Sequence, residues 1–250
     1  MSHSSSDGDL PSPAPLILKV WRMSGEDYCS WVDDKKRRGG GTARITDDNR
    51  PSLTGIPWVE EWFTMTRWWH PAVTWIPISC AIIWLYGGLS ALNALGLLSW
   101  PILEYALHRW VFHLHTWFPT LWGLLVPPRN VVHFLLHGYH HVYPGDRRRI
   151  ATPVPLALAV IGFLYAIAVP IAGFCAHSFA QYIAGALLGF LVYDIVHTAL
   201  HFPSSSVWLL PRLRWFRELK RHHDKHHYSR SDRNWGVSNT ATDRVAGTKF

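Results

Sequence analysis

Histidine forms the most distinctive pattern in this sequence. Of the 16 histidines in the 250-residue chain, ten fall in four short groups, HRWVFH (108–113), HGYHH (137–141), HTALH (197–201) and HDKHH (223–227). Imidazoles gathered in one place repel one another when protonated and leave ring nitrogens without partners. A bound cation removes both costs, because neutral imidazole is a common metal ligand. The four groups therefore predict a metal site.

Spacing within the groups suits helices. Side chains three and four residues apart are neighbours on one face of a helix. His197 and His201 have this spacing, and so do the histidines of both HxxHH triplets. His108 and His113 are five apart, about 140° around an ideal helix, so they converge only if the helix ends or unwinds between them. Four ligands complete a tetrahedral site and six an octahedral one, so ten predict two metals. The candidate ligands are His108, His113, His137, His140, His141, His197, His201, His223, His226 and His227.

Two stretches without charged side chains occur at 72–103 and 150–193. Two histidine groups follow each stretch in the chain. A helix needs about 20 apolar residues to cross a bilayer, so each stretch predicts a hairpin. The first pairs 72–86 with 89–107, and the second pairs 154–174 with 179–196. All four histidine groups then lie on one side, together with the basic residues Arg147-Arg148-Arg149 and Lys220-Arg221. The positive-inside tendency makes that side cytosolic.

The predicted fold is all-α, an integral membrane protein with four transmembrane helices in two hairpins. A cytosolic helical cap would hold the histidine-rich dimetal site. Residues 1–55 are polar and rich in Pro and Ser, with no apolar core of a signal peptide. We expect them to be mostly disordered, with a short ordered element as an alternative at Leu16–Val20. Residues 56–71 predict an interfacial helix with Trp58, Trp62, Met65 and Trp69 on one stripe; packing against the protein is the alternative. Residues 72–250 would form the membrane domain.

The sequence resembles the fatty acid hydroxylase superfamily, and most closely its fatty acid 2-hydroxylases, over roughly residues 58–248. The stretches that carry the resemblance are EYALHRWVFH (104–113), HFLLHGYHH (133–141), PGDRRRIATPVP (144–155), YDIVHTALHF (193–202) and LKRHHDKHHYSRSDRNWGVS (219–238). Histidine motifs alone are shared with desaturases and sterol oxidases. The P-x-D-x-x-R and Y-D-x-x-H motifs narrow the resemblance to the 2-hydroxylases.

The resemblance implies that the ten histidines bind two iron ions, which zinc can replace on isolation. It also implies O2-dependent hydroxylation at C2 of the long or very long acyl chain of sphingolipids or ceramides, in the endoplasmic reticulum membrane. A His-Pro-Gly-Gly motif, which marks a fused cytochrome b5 domain in many relatives, is missing, so a separate cytochrome b5 would donate electrons. His133 and His222 would lie beside the ligands, and Asp194 and Glu104 would orient imidazoles or be ordinary polar residues at helix ends.

Two other functional interpretations are compatible with this sequence. A lipid desaturase or sterol oxidase would use the same dimetal site, because the outcome depends on which hydrogens face the oxidant. A zinc-binding or metal-transporting membrane protein would instead need polar side chains along its spans, and the predicted spans have almost none before their cytosolic ends. The formal net charge of +7 suits an anionic leaflet better than nucleic acid, because no basic recognition element is present.

Overall fold

The computed structural model describes residues 14–37, 45–114, 126–173, 175–202 and 210–250. In chain order the helices are α1 (Leu16–Trp21), α2 (Gly25–Arg37), α3 (Pro57–Val59), α4 (His70–Leu85), α5 (Ala91–Ala106), α6 (Val126–His133), α7 (Tyr139–Val142), α8 (Val154–Ala172), α9 (Ala176–His201), α10 (Arg214–Tyr228) and α11 (Ala241–Val245). π-helical segments follow α3, α5 and α6, at Glu60–Thr64, Leu107–Phe112 and Phe134–Gly138. Within the described residues the regular secondary structure consists of helices, with no strands, which confirms the all-α prediction.

Four apolar helices, α4, α5, α8 and α9, lie where the two hairpins were predicted. The turn between α4 and α5 contains Gly87 and Gly88, whose φ angles of 94° and 92° are readily adopted by glycine alone. Among the described residues, α9 is the one helix long and apolar enough to cross a membrane, whereas α4 and the first part of α8 are apolar but shorter.

The closest helix crossing in the bundle joins α5 to α9. A Cβ atom on Gly96 would lie 2.0 Å from the carbonyl oxygen of Tyr182, and one on Gly185 would lie 1.9 Å from that of Asn93. Both positions therefore require glycine, and their small size lets the two backbones approach each other. The Asn93 side-chain amide also donates to the Gln181 carbonyl at 2.6 Å, which fixes the register of the two helices.

The N-terminal segment differs from its prediction. Residues 14–37 contain α1 and α2 instead of disordered chain, and they pack against α6 and α7. Leu16 and Val20 are buried on α1, and Tyr28 and Val32 are buried on α2. Spacing by four residues places each pair on one face of its helix, so a short apolar stripe outweighs the polar composition. Residues 1–13 and 38–44 lie outside the described part of the chain.

The helix predicted for 56–71 is also shorter in the structure. Helix α3 and its π-helical segment end at Thr64, and Met65 is extended, with φ −115° and ψ 142°. Trp58 and Trp62 are 63% and 73% exposed, but the stripe does not continue to Trp69 on the same helix. The chain leaves the helix where the Thr66 N–H donates to the Arg148 carbonyl.

The P-x-D-x-x-R motif connects this segment to α7. Buried Asp146 accepts hydrogen bonds from the Arg50 guanidinium at 2.9 Å and from the Tyr139 hydroxyl at 2.7 Å. Arg149 forms an ion pair with Glu60 at 2.9 Å. The motif therefore fixes the helix that carries two of the candidate ligands, without contacting the histidine clusters itself.

Candidate metal centre

The ten predicted histidines meet in two adjoining groups of five. Cluster A contains His108, His113, His137, His141 and His226, and cluster B contains His140, His197, His201, His223 and His227. Within each cluster, one potential ligand atom from every residue lies within 4.8 Å of the others. Four parts of the chain thus supply the site: the end of α5, the α6–α7 segment, the end of α9, and α10.

Eight of the ten histidines approach one another through their Nε2 atoms. They pair at 2.9 Å for His108 and His137, 3.2 Å for His141 and His226, 3.1 Å for His140 and His197, and 2.8 Å for His201 and His223. Adjacent nitrogen ligands around a metal with bonds of about 2.0–2.1 Å are themselves about 2.9–3.4 Å apart. The spacing of the donor atoms therefore fits one cation in each cluster.

A π-helical turn brings His108 and His113 together. The His113 N–H donates to the His108 carbonyl at 3.2 Å, which is the i to i+5 bond of a π-helix. The two ring centroids are 5.2 Å apart. Spacing by five residues predicts that the helix ends or unwinds between these residues. In the structure the helix widens instead, and residues five apart come to share a face.

Each HxxHH triplet serves both clusters. His137 and His141 lie in cluster A, whereas His140 lies in cluster B; the second triplet divides the other way, with His226 alone in cluster A. Consecutive side chains on a helix point about 100° apart, so the two adjacent histidines of each motif reach different centres. This division explains why the motif carries a double histidine.

Burial keeps the clustered imidazoles neutral. Loss of hydration lowers the pKa of His113, His137 and His140 well below its ordinary value, and repulsion from neighbouring imidazoles lowers it further. The same two causes act on His223 and His227. A neutral imidazole offers the lone pair that a metal needs, so the environment favours the ligand form of these side chains.

His133 and His222 lie outside both clusters. The Nδ1 atom of His133 is hydrogen-bonded to the Tyr28 hydroxyl of α2 at 2.5 Å. His222 is buried on α10, with its Nε2 atom 2.9 Å from the Asp243 carboxylate. Both therefore connect the ligand-bearing helices to other parts of the chain. Nothing in the sequence pointed to Tyr28, because it lies in the segment predicted to be disordered.

Among the described residues, no imidazole donates a hydrogen bond to Glu104 or Asp194, in contrast to one of the sequence-based expectations. Glu104 accepts from the backbone N–H groups of Val237 and Ser238, at 2.5 Å and 2.8 Å. Asp194 accepts from the backbone N–H and the hydroxyl of Thr152. Backbone amides of two loops compete successfully for these carboxylates, which thereby hold the loops beside the clusters.

Backbone carbonyls, instead of these carboxylates, accept hydrogen bonds from the Nδ1 atoms of two clustered histidines. His108 Nδ1 donates to the Trp235 carbonyl at 2.5 Å, and His226 Nδ1 donates to the Arg233 carbonyl at 2.7 Å. Both acceptors belong to residues 233–238, which follow α10. Their identity was not predictable from side-chain patterns, because any residue supplies a carbonyl.

An apolar cavity of about 430 Å³ between α5, α8 and α9 reaches His108 of cluster A. At one end it is lined by His108 and Phe112, and at the other by Ile167 and Phe179. Its remaining lining is almost entirely aliphatic and aromatic. The cavity therefore offers a dry path for a long apolar chain to one side of cluster A.

Comparison with known proteins agrees with these features. Residues 93–248 match the family of fatty acid hydroxylases. The dihydroceramide fatty acyl 2-hydroxylase FAH2 of Arabidopsis thaliana is 29% identical over 94% of this chain and 90% of its own length. The ceramide very long chain fatty acid hydroxylase SCS7 of Saccharomyces cerevisiae is 32% identical over 94% of this chain and 57% of its own length.

A solved structure has the same fold. It is described as full-length scs7p with only the hydroxylase domain visible, and it superposes with a TM-score of 0.75 at 28% sequence identity. The match covers 95% of this chain and 84% of the other. The fatty acid 2-hydroxylase of Rattus norvegicus is 28% identical over 92% of this chain and 61% of its own length.

Proposed function

This chain belongs to the fatty acid hydroxylase family, and we propose that it hydroxylates C2 of the long acyl chain of a ceramide or related sphingolipid. The observation that carries this proposal is the apolar cavity that ends at His108, a member of cluster A. A cavity of this composition suits a hydrocarbon tail and excludes polar substrates. Its position beside the clustered histidines supports a binding mode in which one end of that tail lies at the proposed metals.

The ten histidines of clusters A and B are the proposed ligands of two iron ions. Two such ions would supply the activation of O2 that hydroxylation of an unactivated carbon needs. The fit rests on the donor set: ten largely buried imidazoles, with Nε2 atoms at the spacing of ligands around a common cation. Zinc competes for nitrogen ligands, so an isolated preparation is expected to carry some zinc.

The reaction consumes one O2, two electrons and two protons for each acyl chain. One oxygen atom enters the C2–H bond and gives the hydroxyl group, and the other leaves as water. A separate cytochrome b5 is the proposed electron donor.

The protein itself would align the acyl chain and exclude water from it. Helix α9 lines the cavity from Phe179 to Tyr193, a length of about 21 Å at about 1.5 Å per residue. An acyl tail lying along α9 would place its methyl end near Phe179 and C2 near His108. The polar headgroup would then lie outside the cavity, at the surface of the cap.

Four membrane spans and a cytosolic metal centre complete the proposal. Trp84, Leu89 and Leu98 are 78%, 87% and 75% exposed, and large apolar side chains in such number outside the protein core suit contact with lipid. Helices α4 and α5 have 16 residues each, about 24 Å, and the hydrocarbon core is about 30 Å thick. The first hairpin therefore sits in a locally thinned bilayer, in the endoplasmic reticulum membrane.

The test is a reconstituted reaction. Iron-loaded protein, cytochrome b5, its reductase, NADH and a ceramide are incubated under ¹⁸O2, and the lipids are analysed by mass spectrometry. A 2-hydroxy ceramide that carries one labelled oxygen is the expected product. An unsaturated acyl chain would favour a desaturase, oxidation of an added sterol would favour a sterol oxidase, and bound metal without any lipid oxidation would favour a metal-binding protein.

A further inference from the structure

We propose that the two clusters hold their metals unequally: cluster A retains its ion because residues 233–238, positioned by Asp243, fix two of its five imidazoles, whereas cluster B exchanges its ion readily. This inference rests on the dimetal centre of the proposed function. It assigns Asp243 the part of a positioning residue, because its carboxylate contacts neither cluster.

The first observation is the pair of carbonyl bonds to cluster A. A carbonyl oxygen only accepts, so His108 and His226 must each carry a proton on Nδ1 to donate to Trp235 and Arg233. Their Nε2 atoms then hold lone pairs that face the centre of the cluster. A hydrogen bond to the outer ring nitrogen fixes the orientation and the tautomer of a ligand and raises its basicity.

Asp243 determines where these carbonyls lie. Its Oδ1 atom accepts from the Trp235 N–H at 2.9 Å and the Thr248 hydroxyl at 2.7 Å. Its Oδ2 atom accepts from the Gly236 N–H at 2.7 Å and from His222 Nε2 at 2.9 Å. Four donors converge on one buried carboxylate and use its full acceptor capacity. The loop is thus anchored at Trp235, whose carbonyl accepts from His108, and two residues after Arg233, whose carbonyl accepts from His226.

The same loop is anchored at its other end. Glu104 of α5 accepts from the backbone N–H groups of Val237 and Ser238. His108 follows Glu104 by one helical turn, in the π-helical segment that continues α5. This continuous helix therefore contacts the loop twice, through the Glu104 carboxylate and through the His108 imidazole. Residues 235–238 consequently cannot shift without breaking bonds to α5 as well as to Asp243.

Two members of cluster A, His108 and His226, donate to loop carbonyls, and no member of cluster B has such a bond within the described residues. The Nδ1 atoms of His140, His197, His223 and His227 are buried and form no hydrogen bond with any described residue. His201 is only partly buried, whereas all five members of cluster A are buried. Imidazoles without a hydrogen bond at Nδ1 rotate more freely, and a partly exposed ligand gives water and chelators access. Loss of such outer contacts weakens metal binding about 10–100-fold.

Metal release measures this difference directly. Protein with two bound metals is challenged with a chelator in detergent, and retained metal is measured over time by mass spectrometry. We expect one ion to leave about 10–100-fold faster than the other. His223→Ala disables cluster B and should leave a single, slowly released ion, whereas His226→Ala disables cluster A and should leave a single, rapidly released one. Gel filtration and circular dichroism verify that both variants are folded.

Asp243→Asn tests the positioning residue. Asparagine has one acceptor oxygen, and its amide group would face two of the four donors, so the loop should detach from His108 and His226. We expect release from cluster A to accelerate about 10–100-fold, with cluster B unchanged. The matched control is Asp232→Asn, just before this loop, where an exposed carboxylate pairs with Arg230; its release rates should equal those of the unaltered protein.

The outcomes separate this inference from the proposed function. Two ions that leave at one rate, or an Asp243→Asn variant that accelerates both clusters equally, would overturn the unequal-site inference and leave the dimetal proposal standing. Protein that never binds two ions would overturn the dimetal centre itself.

Discussion

Tyr28 and His133 are hydrogen-bonded at 2.5 Å, although 105 residues separate them in the chain. The Tyr28 hydroxyl belongs to α2, near the N-terminus, and His133 ends α6, four residues before the ligand candidate His137. This bond and the surrounding apolar contacts attach the N-terminal helices to α6 and α7, beside the histidine clusters.

Tyr28→Phe is expected to lower the free energy of unfolding by about 1 kcal/mol, the usual net value of a buried hydrogen bond. Thermal unfolding in detergent, followed by circular dichroism, measures the change. Bound metal should remain at two ions per chain, because His133 lies outside both clusters. An unaltered melting temperature would show that α2 docks through its apolar side chains alone.

His140→Ala and His226→Ala are each expected to abolish hydroxylation, because each removes one ligand from a different cluster. Product formation from ceramide is the measurement. His177→Ala is the matched control, since its imidazole packs against Tyr86 at the opposite end of the helix bundle, and it should retain full activity. Full activity in either cluster variant would contradict the ligand assignment.

Ala186→Phe is expected to block the cavity. Ala186 is 1% exposed and lines the cavity on α9, so a phenyl ring there would occupy the space of the acyl tail. We expect hydroxylation to fall at least about tenfold, which corresponds to about 1.4 kcal/mol of lost binding, while two metals remain bound. Leu98→Phe, on an exposed face of α5, serves as the control.

Phe179→Ala is expected to lengthen the cavity. Its ring closes the end opposite His108 and contacts Tyr165, with the ring centroids 5.1 Å apart. Removing it should shift the products toward longer acyl chains, measured in a competition among ceramides of different chain length. An unchanged product distribution would place the methyl end of the substrate elsewhere.

The metal-free protein is expected to lose stability as the pH falls below about 6.5. Burial lowers the pKa of His113, His137 and His223 in the folded state, whereas the unfolded chain binds protons at the ordinary value. The unfolded state therefore takes up more protons as the pH falls, and the folded state is favoured fully only above that value. Melting temperatures across this range test the prediction. A pH-independent value would show that the clusters are hydrated in the absence of metal.

Local sequence patterns predicted much of this molecule. Charge-free apolar stretches predicted the helices α4, α5, α8 and α9, and spacing by three and four predicted that HxxHH histidines share helix faces. The identity of the ten clustered histidines followed from the same patterns. Such features depend on residues within one or two helical turns, so composition and period are sufficient to detect them.

Tertiary structure decided which histidines share a centre. His140 and His141 are adjacent in sequence yet lie in different clusters, and the π-helical turn at 107–112 aligns His108 with His113. The acceptor for His108 Nδ1 is a carbonyl 127 residues away, and α2 reaches His133 across a comparable separation. Periodicity carries no information about contacts between distant segments, and a carbonyl has no side-chain signature. These relationships exist only once the helices have packed.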